Sequence, residues 1–150
     1  MTSDIVIDFR AATLADQKML FEWRNDPLTH LQSISQDLVS WEGHQAWFGE
    51  SLKAENRKIF IAVLQGISLG MIRWDQMNTV RELSWLIGSE SRGHGYGTKM
   101  LTQFIRRFPF HYEAKVRVSN QASFKMALNA GFSLRSKDDE IYYLALAGPL

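Results

Sequence analysis

Apolar and polar residues alternate from Ile5 to Arg10 (IVIDFR), the period of a half-buried strand. Thr13 with Asp16 three residues on resembles a capping box, and Leu14, Leu20, Phe21 and Trp23 mark the helix it opens, which should end near Asn25, Asp26 and Pro27. A loop is expected from there to about Ser35. Leu38, Trp41, Gln45, Phe48 and Leu52 then recur at three- and four-residue steps, which places apolar groups on one stripe of a second helix with His44 beside it. Three strand-like runs follow, KIFIAVLQ (58–65), ISLGMIRWDQ (67–76) and VRELSWLIG (80–88). Turns at Gln65-Gly66 and around Asn78 separate them, the pattern of an antiparallel meander. After a glycine loop, TKMLTQFIRRF (98–108) reads as a helix and EAKVRVS (113–119) as a strand. Asn120 opens another helix through Ala130, Gly131 stops it, and FSLRS with EIYYLALAG completes the sheet. The predicted order is β-α-α-β-β-β-α-β-α-β-β: a mixed α+β chain without repeats or low-complexity segments.

Composition narrows the function classes. At 150 residues the chain has the length of one domain over 1–150, with 45% hydrophobic and 22% charged residues, values ordinary for a soluble globular protein. A net charge of +1 offers no general attraction to nucleic acid or to an anionic membrane, so any basic site must be local. The absence of cysteine excludes disulfides, thiolate zinc sites and a cysteine nucleophile, and four scattered histidines form no metal cluster, so no metal is expected. No apolar run approaches the roughly 20 residues that span a bilayer, and the N-terminus lacks a signal-peptide pattern. A cytoplasmic protein is expected.

The segment SRGHGYGTKML (91–101) carries the chemistry. A strand that ends at Gly88, a glycine-rich turn and a helix make an anion cradle, because amides at a helix start are unpaired, the helix dipole adds positive charge, and glycines admit a phosphate close to the backbone. The expected guest is a pyrophosphate. A Walker loop needs Gly-Lys-Ser/Thr where this chain has Gly97-Thr98-Lys99, and a dinucleotide fingerprint runs G-x-G-x-x-G where Gly93, Gly95 and Gly97 run G-x-G-x-G.

Arg92-Gly93-His94-Gly95-Tyr96-Gly97 resembles the R/Q-x-x-G-x-G/A acyl-CoA motif of the GNAT N-acetyltransferase superfamily, and Asn120, Ser123 and Gly131-Phe132 resemble its N-x-x-S/A…G-F segment at the usual separation. The element order is also that of the superfamily, so the resemblance covers nearly the whole chain. It implies a central, mostly antiparallel twisted sheet of six or seven strands, splayed at the cofactor site and flanked by about four helices. It further implies acetyl-CoA in a V-shaped gap between the strand carrying Trp85, Leu86 and Ile87 and the strand carrying Val116 to Val118. The pyrophosphate would lie on the amides of residues 92 to 97, with Thr98, Asn120 and Ser123 nearby. A bulge or splay at Trp85 to Ile87 would free amides for the pantetheine and the thioester carbonyl. Asn120 reads equally as a helix N-cap, a role compatible with cofactor contact.

Acetyl transfer needs a base near the amine and an acid near the departing sulfur. Glu82 is the candidate base, as some members of the superfamily carry a glutamate early on this strand; the alternative is a solvated strand residue paired with Arg81 or Arg73. The tyrosine that usually follows the motif asparagine by seven residues is Ala127 here, which passes the acid's role to Tyr142 or Tyr143, to Ser84, or to water.

Acceptor class is read from FEWRNDP (21–27) and His44-Gln45-Ala46-Trp47-Phe48, similar to a "W-R-N … H-x-x-W-F" pattern. Acetyltransferases of nucleotide-linked amino sugars, such as the pseudaminic-acid pathway type, share that pattern with the ribosomal-protein N-terminal branch. Arg24 would pair with a phosphate, Trp23 or Trp47 would stack on a base or sugar, and His44 would donate to a hydroxyl or phosphate. The competing reading makes the tryptophans core and His44 an interior histidine. The resemblance thus implies a small-molecule amine acceptor, a nucleotide-linked sugar first, with a peptide α-amine or a non-catalytic acyl-CoA-binding module as alternatives and a homodimer as a possible state.

Overall fold

The computed structural model describes residues 5–35, 37 and 39–149. Seven strands in the order β1-β2-β3-β4-β5-β7-β6 form one sheet. β1 (Asp8–Ala11), β2 (Arg57–Leu64), β3 (Ile67–Met77) and β4 (Val80–Ile87) pair antiparallel in sequence order, as the alternation predicts. The β2–β3 turn places Gln65 and Gly66 at positive φ, the geometry of a tight hairpin matched to strand twist, and Asn78 takes positive φ in the next turn. β5 (Tyr112–Arg117), β7 (Ile141–Leu146) and β6 (Ser133–Lys137) form a second antiparallel set.

Five helices are present among the described residues, one more than the pattern predicts. A 3-10 turn (Leu14–Asp16) leads into α1 (Gln17–Asn25), and the Asp16 carboxylate accepts a hydrogen bond from the Thr13 amide at 2.8 Å, the reciprocal half of the expected box. The stretch expected as loop instead holds α2 (Pro27–Gln32). Asp26 caps it by accepting from the Thr29 amide, and Pro27 occupies its first turn, where a missing N–H costs nothing. α3 (Trp41–Lys53) is capped by Ser40; Leu38 of the predicted stripe lies outside the described residues. α4 (Tyr96–Arg107) starts two residues earlier than predicted, and α5 (Gln121–Asn129) is closed by Gly131 at φ 110°.

The sheet is covered on both faces, and β2 shows why. Its alternating residues split between two cores: Phe60 and Ala62 join Met100, Leu101 and Phe104 of α4, while Ile59 and Ile61 join Leu20 and Trp23 of α1 and Phe48 of α3. The same alternation assigns faces on β4. Leu83, Trp85 and Ile87 belong with the α4/α5 side, whereas Leu86 packs on the α1/α3 side together with Met71 of β3. Glu82 and Ser84 share the parity of Leu86.

Candidate functional site

The two sheet halves meet only briefly. β4 and β5 run parallel and pair at Arg81 with Tyr112 and at Glu82 with Glu113, then separate. The expected splay is therefore present, while β4 keeps continuous register with β3 from Val80 to Ile87 and carries no bulge. Peptide groups alternate in direction along a strand. Arg81 donates to the His111 carbonyl across the parallel pair and Gly88 donates to Leu69 on the β3 side, so the peptide groups of Trp85 and Ile87 face the gap. The Trp85 side chain packs on the α4/α5 side, where its indole Nε1 is buried without a hydrogen-bond partner.

The glycine loop lies at the open end. Gly93 (φ 80°) and Gly95 (φ 73°) occupy the left-handed region, and a Cβ at either would meet nothing within 4 Å, so both border open space. Gly95 is the N-cap of α4 and has no side chain to satisfy the first-turn amides of Tyr96, Gly97 and Thr98. Gly97 is buried, and a Cβ there would lie 2.5 Å from Met126 of α5, so this glycine permits close α4–α5 packing. His94 stacks on Tyr96 with ring centroids 5.4 Å apart. Asn120 is the α5 N-cap, accepting from the Ser123 amide at 3.2 Å. These features suit a bound acyl-CoA: free amides at a helix start, open space above glycines, and strand peptides turned into a cleft. Arg92, expected beside the pyrophosphate, donates instead to Asp26 Oδ2 at 2.7 Å and to the Thr29 hydroxyl.

On the α1/α3 face a pocket of about 340 Å³ opens over β3 and β4, and Leu20, Arg24, His44, Trp47, Arg73 and Leu86 are among its lining residues. Arg24 donates to the Ser35 carbonyl at 2.8 Å and approaches His30 Nδ1, while burial holds its pKa below the ordinary arginine value. Arg73, singled out by sequence only as a partner for Glu82, binds Asp75 with Nε at 3.0 Å. Burial likewise lowers its pKa, and with Arg57 it flanks the Trp47 ring. His44 is buried among aromatic rings, its plane nearly parallel to that of Phe48 with centroids 5.8 Å apart, and donates its Nε2 hydrogen to the Gln17 carbonyl at 3.0 Å. Burial lowers its pKa, opposed by that hydrogen bond. Trp23 is core, wedged against Gly88, where a Cβ would lie 2.7 Å from the indole.

Glu82 borders a smaller depression of about 150 Å³ with Glu113, Lys115, Arg135 and Tyr143, and lies 3.9 Å from Lys115 Nζ. Ser84 stands opposite Arg73 in the β3–β4 register. Tyr142 is not brought to this face: it pairs with Val116, whose side chain is in the α4/α5 core, and stacks on Phe124 at 3.9 Å. Tyr143 shares the Glu82 face, but its hydroxyl donates to Asp138. Ala127 is fully buried in the α4/α5 core. Among the described residues no group of three or more histidine, aspartate or glutamate side chains could hold a metal, and no helix is long and apolar enough to cross a membrane.

The sequence profile of the acetyltransferase (GNAT) domain matches residues 7–133. The chain belongs to the GNAT acetyltransferase family. Solved structures share the fold of this acetyltransferase at low identity. Spermidine N-acetyltransferase from Vibrio cholerae, in complex with CoA and spermine, is 12% identical with a TM-score of 0.81 over 93% of this chain and 94% of its own. The aminoglycoside acetyltransferase AAC(6')-Ib with acetyl-CoA is 19% identical with a TM-score of 0.80 over 94% and 93%. RimL, a ribosomal L7/L12 α-N-protein acetyltransferase in complex with CoA, is 16% identical with a TM-score of 0.79 over 97% and 95%. No curated protein matches the chain in sequence. The acetyltransferase thus shares its fold with enzymes from which its sequence has diverged widely.

Proposed function

We propose that the protein transfers acetyl from acetyl-CoA to the primary amine of a small acceptor that carries an anionic group, a nucleotide-linked amino sugar being the class that fits. The observation that supports this is the charge of the pocket. Arg24 and Arg73 line it, and no carboxylate is among its described lining residues. Asp75 at 3.0 Å offsets part of the charge on Arg73, so the excess positive charge of the pocket rests mainly on Arg24, and polycations such as the spermine and kanamycin bound in the neighbouring structures are disfavoured beside it. A diphosphate is suited to the same pair, and Trp47 offers an apolar face for a sugar or base.

Bound acetyl-CoA supplies the activated thioester. The first-turn amides of α4 hold its pyrophosphate, and the Trp85 and Ile87 peptides orient the acyl arm so that an N–H faces the carbonyl oxygen as charge develops there. Glu82, which borders the neighbouring depression on the same sheet face, takes the proton from the attacking amine through a water. The C–S bond of the tetrahedral adduct then breaks and CoA leaves as a thiolate that is protonated from water, with Ser84 on the same face. Tyr142, on the opposite face, has no part in this reading.

Thiol release from acetyl-CoA is measured with amino-sugar nucleotides, peptides and polyamines as acceptors. Highest kcat/KM on an amino-sugar nucleotide is expected, and higher activity on a peptide N-terminus or a polyamine overturns the acceptor assignment. Glu82→Gln should lower kcat by about 10²–10⁴-fold with little change in acetyl-CoA affinity, so a fall of less than about tenfold assigns the proton to water or another group.

A further inference from the structure

Residues 26–35 are held from both sides of the cofactor gap. Beyond the end of β4, Arg92 donates to Asp26 at 2.7 Å and to the Thr29 hydroxyl, both at the N-terminal end of α2. From the end of β5, Arg117 donates through Nε to the Ser33 carbonyl at 2.6 Å and through a terminal nitrogen to the Ile34 carbonyl at 2.7 Å. Ser119, just past β5, donates to the Gln32 side chain at 3.0 Å. The segment therefore joins the two strands where they have diverged. Its far end reaches the acceptor pocket, where the Ser35 carbonyl receives Arg24 at 2.8 Å and His30 Nδ1 lies 3.3 Å from the same guanidinium.

We infer that residues 26–35 are a strap across the open end of the cofactor gap, and that Arg92 and Arg117 are positioning residues for the acceptor: they fix the strap, and the strap aims Arg24 into the pocket. The inference rests on the proposed acceptor pocket and goes beyond it. Arg92 belongs to the glycine motif by position, yet its guanidinium is spent on α2, whereas the cradle amides that face an anion need no side chain. Arg117 anchors by binding two carbonyls at once, a geometry that lysine cannot reproduce. The cofactor-side elements thereby determine how the acceptor is presented, although neither arginine lines the acceptor pocket.

Four variants test this: Asp26→Asn, Arg92→Ala, Arg92→Lys and Arg117→Lys. The expected result is acetyl-CoA affinity by calorimetry within about threefold of wild type, while backbone hydrogen exchange of residues 28–35 in the free protein rises about tenfold or more, as when a charge-assisted hydrogen bond is lost. Acceptor KM, measured with whichever amine supports turnover, should rise about tenfold with a smaller change in kcat. Arg92→Lys should retain more than Arg92→Ala, and combining Arg92→Ala with Asp26→Asn should add little to either alone. Exchange and calorimetry need no acceptor, so they report on the strap even if the amino-sugar assignment fails. Arg92→Ala that weakens acetyl-CoA about tenfold while Asp26→Asn does not would place Arg92 on the pyrophosphate and overturn the inference. Unchanged exchange over 28–35 in both Asp26→Asn and Arg117→Lys, or an unaltered acceptor KM in all four variants, would overturn it as well.

Discussion

Gly93, Gly95 and Gly97 look alike in sequence and do different work. Gly95 must supply a left-handed N-cap beside open space, so Gly95→Val places a branched side chain at φ 73° and over the α4 amides. Strain of about 1–2 kcal/mol per residue adds to the blocked anion contact, and acetyl-CoA affinity measured by calorimetry should fall by at least tenfold. Gly97→Ala acts through packing, since its Cβ meets the flexible Met126 side chain; lower stability with a smaller loss of affinity is expected. His44 offers a pH test. Its folded pKa is lowered by burial, so as pH falls below about 6.5 the unfolded chain takes up a proton that the folded ring refuses. Stability contributed by the neutral ring is thus present above pH 6.5 and is lost toward lower pH. His44→Gln should flatten the dependence of stability on pH between 7 and 5 in denaturant titrations; an unchanged slope would assign the proton uptake elsewhere.

At the scale of elements, the brief β4–β5 contact is held by Arg81. Its guanidinium lies 4.0 Å from the Trp74 ring centroid and 3.9 Å from that of Phe110, its Nε donates to Gln76, and its amide donates to the His111 carbonyl. This clamp sits where the strands are still paired, immediately before they part. Each cation–π contact of this kind contributes about 0.5–2 kcal/mol. Arg81→Met should therefore lower the melting temperature by several degrees, at roughly 2–4 °C per kcal/mol for a chain of this length, and should also weaken acetyl-CoA binding because the gap begins there. Loss of stability with unaltered acetyl-CoA affinity would separate the clamp from the gap. α2 shows how an element escapes a sequence reading. Asn25-Asp26-Pro27 stops α1, but an N-cap carboxylate followed by proline at the first helical position starts a helix just as well, and six residues offer too little periodicity to reveal it.

Across the whole molecule, the site is assembled by elements far apart in the chain: the cradle by β4 and α4, the pocket by α1, α3, β3 and β4, and the strap by contacts 63 to 87 residues distant in sequence. A cofactor that fits this assembly stabilises the fold by mass action. Acetyl-CoA at a hundred times its dissociation constant contributes about 2.7 kcal/mol, or roughly 5–10 °C in melting temperature. Thermal scans with and without acetyl-CoA check this, and no shift at saturation would contradict the cradle.

Local features were legible because their causes are local. Period-2 alternation marked β2 to β4, the positive-φ turn at Gln65-Gly66 and the caps at Thr13 and Asn120 bounded their elements, and the glycine motif announced an anion site in the order of a known family. Other features depend on partners that no window of sequence contains. Tyr142 and Tyr143 sit side by side in an unpatterned IYYLAL run, and only the register with Val116 and Lys115 sends one to the α5 face and the other to the Glu82 face. The pairing of Arg92 with Asp26 spans 66 residues, and Arg73 lines the α1/α3 pocket only because α1 and α3 close over its side of the sheet. Backbone propensity and side-chain period are set within a few residues, whereas the direction in which a charge points is set by packing between elements, and that packing decided which arginines line the α1/α3 pocket.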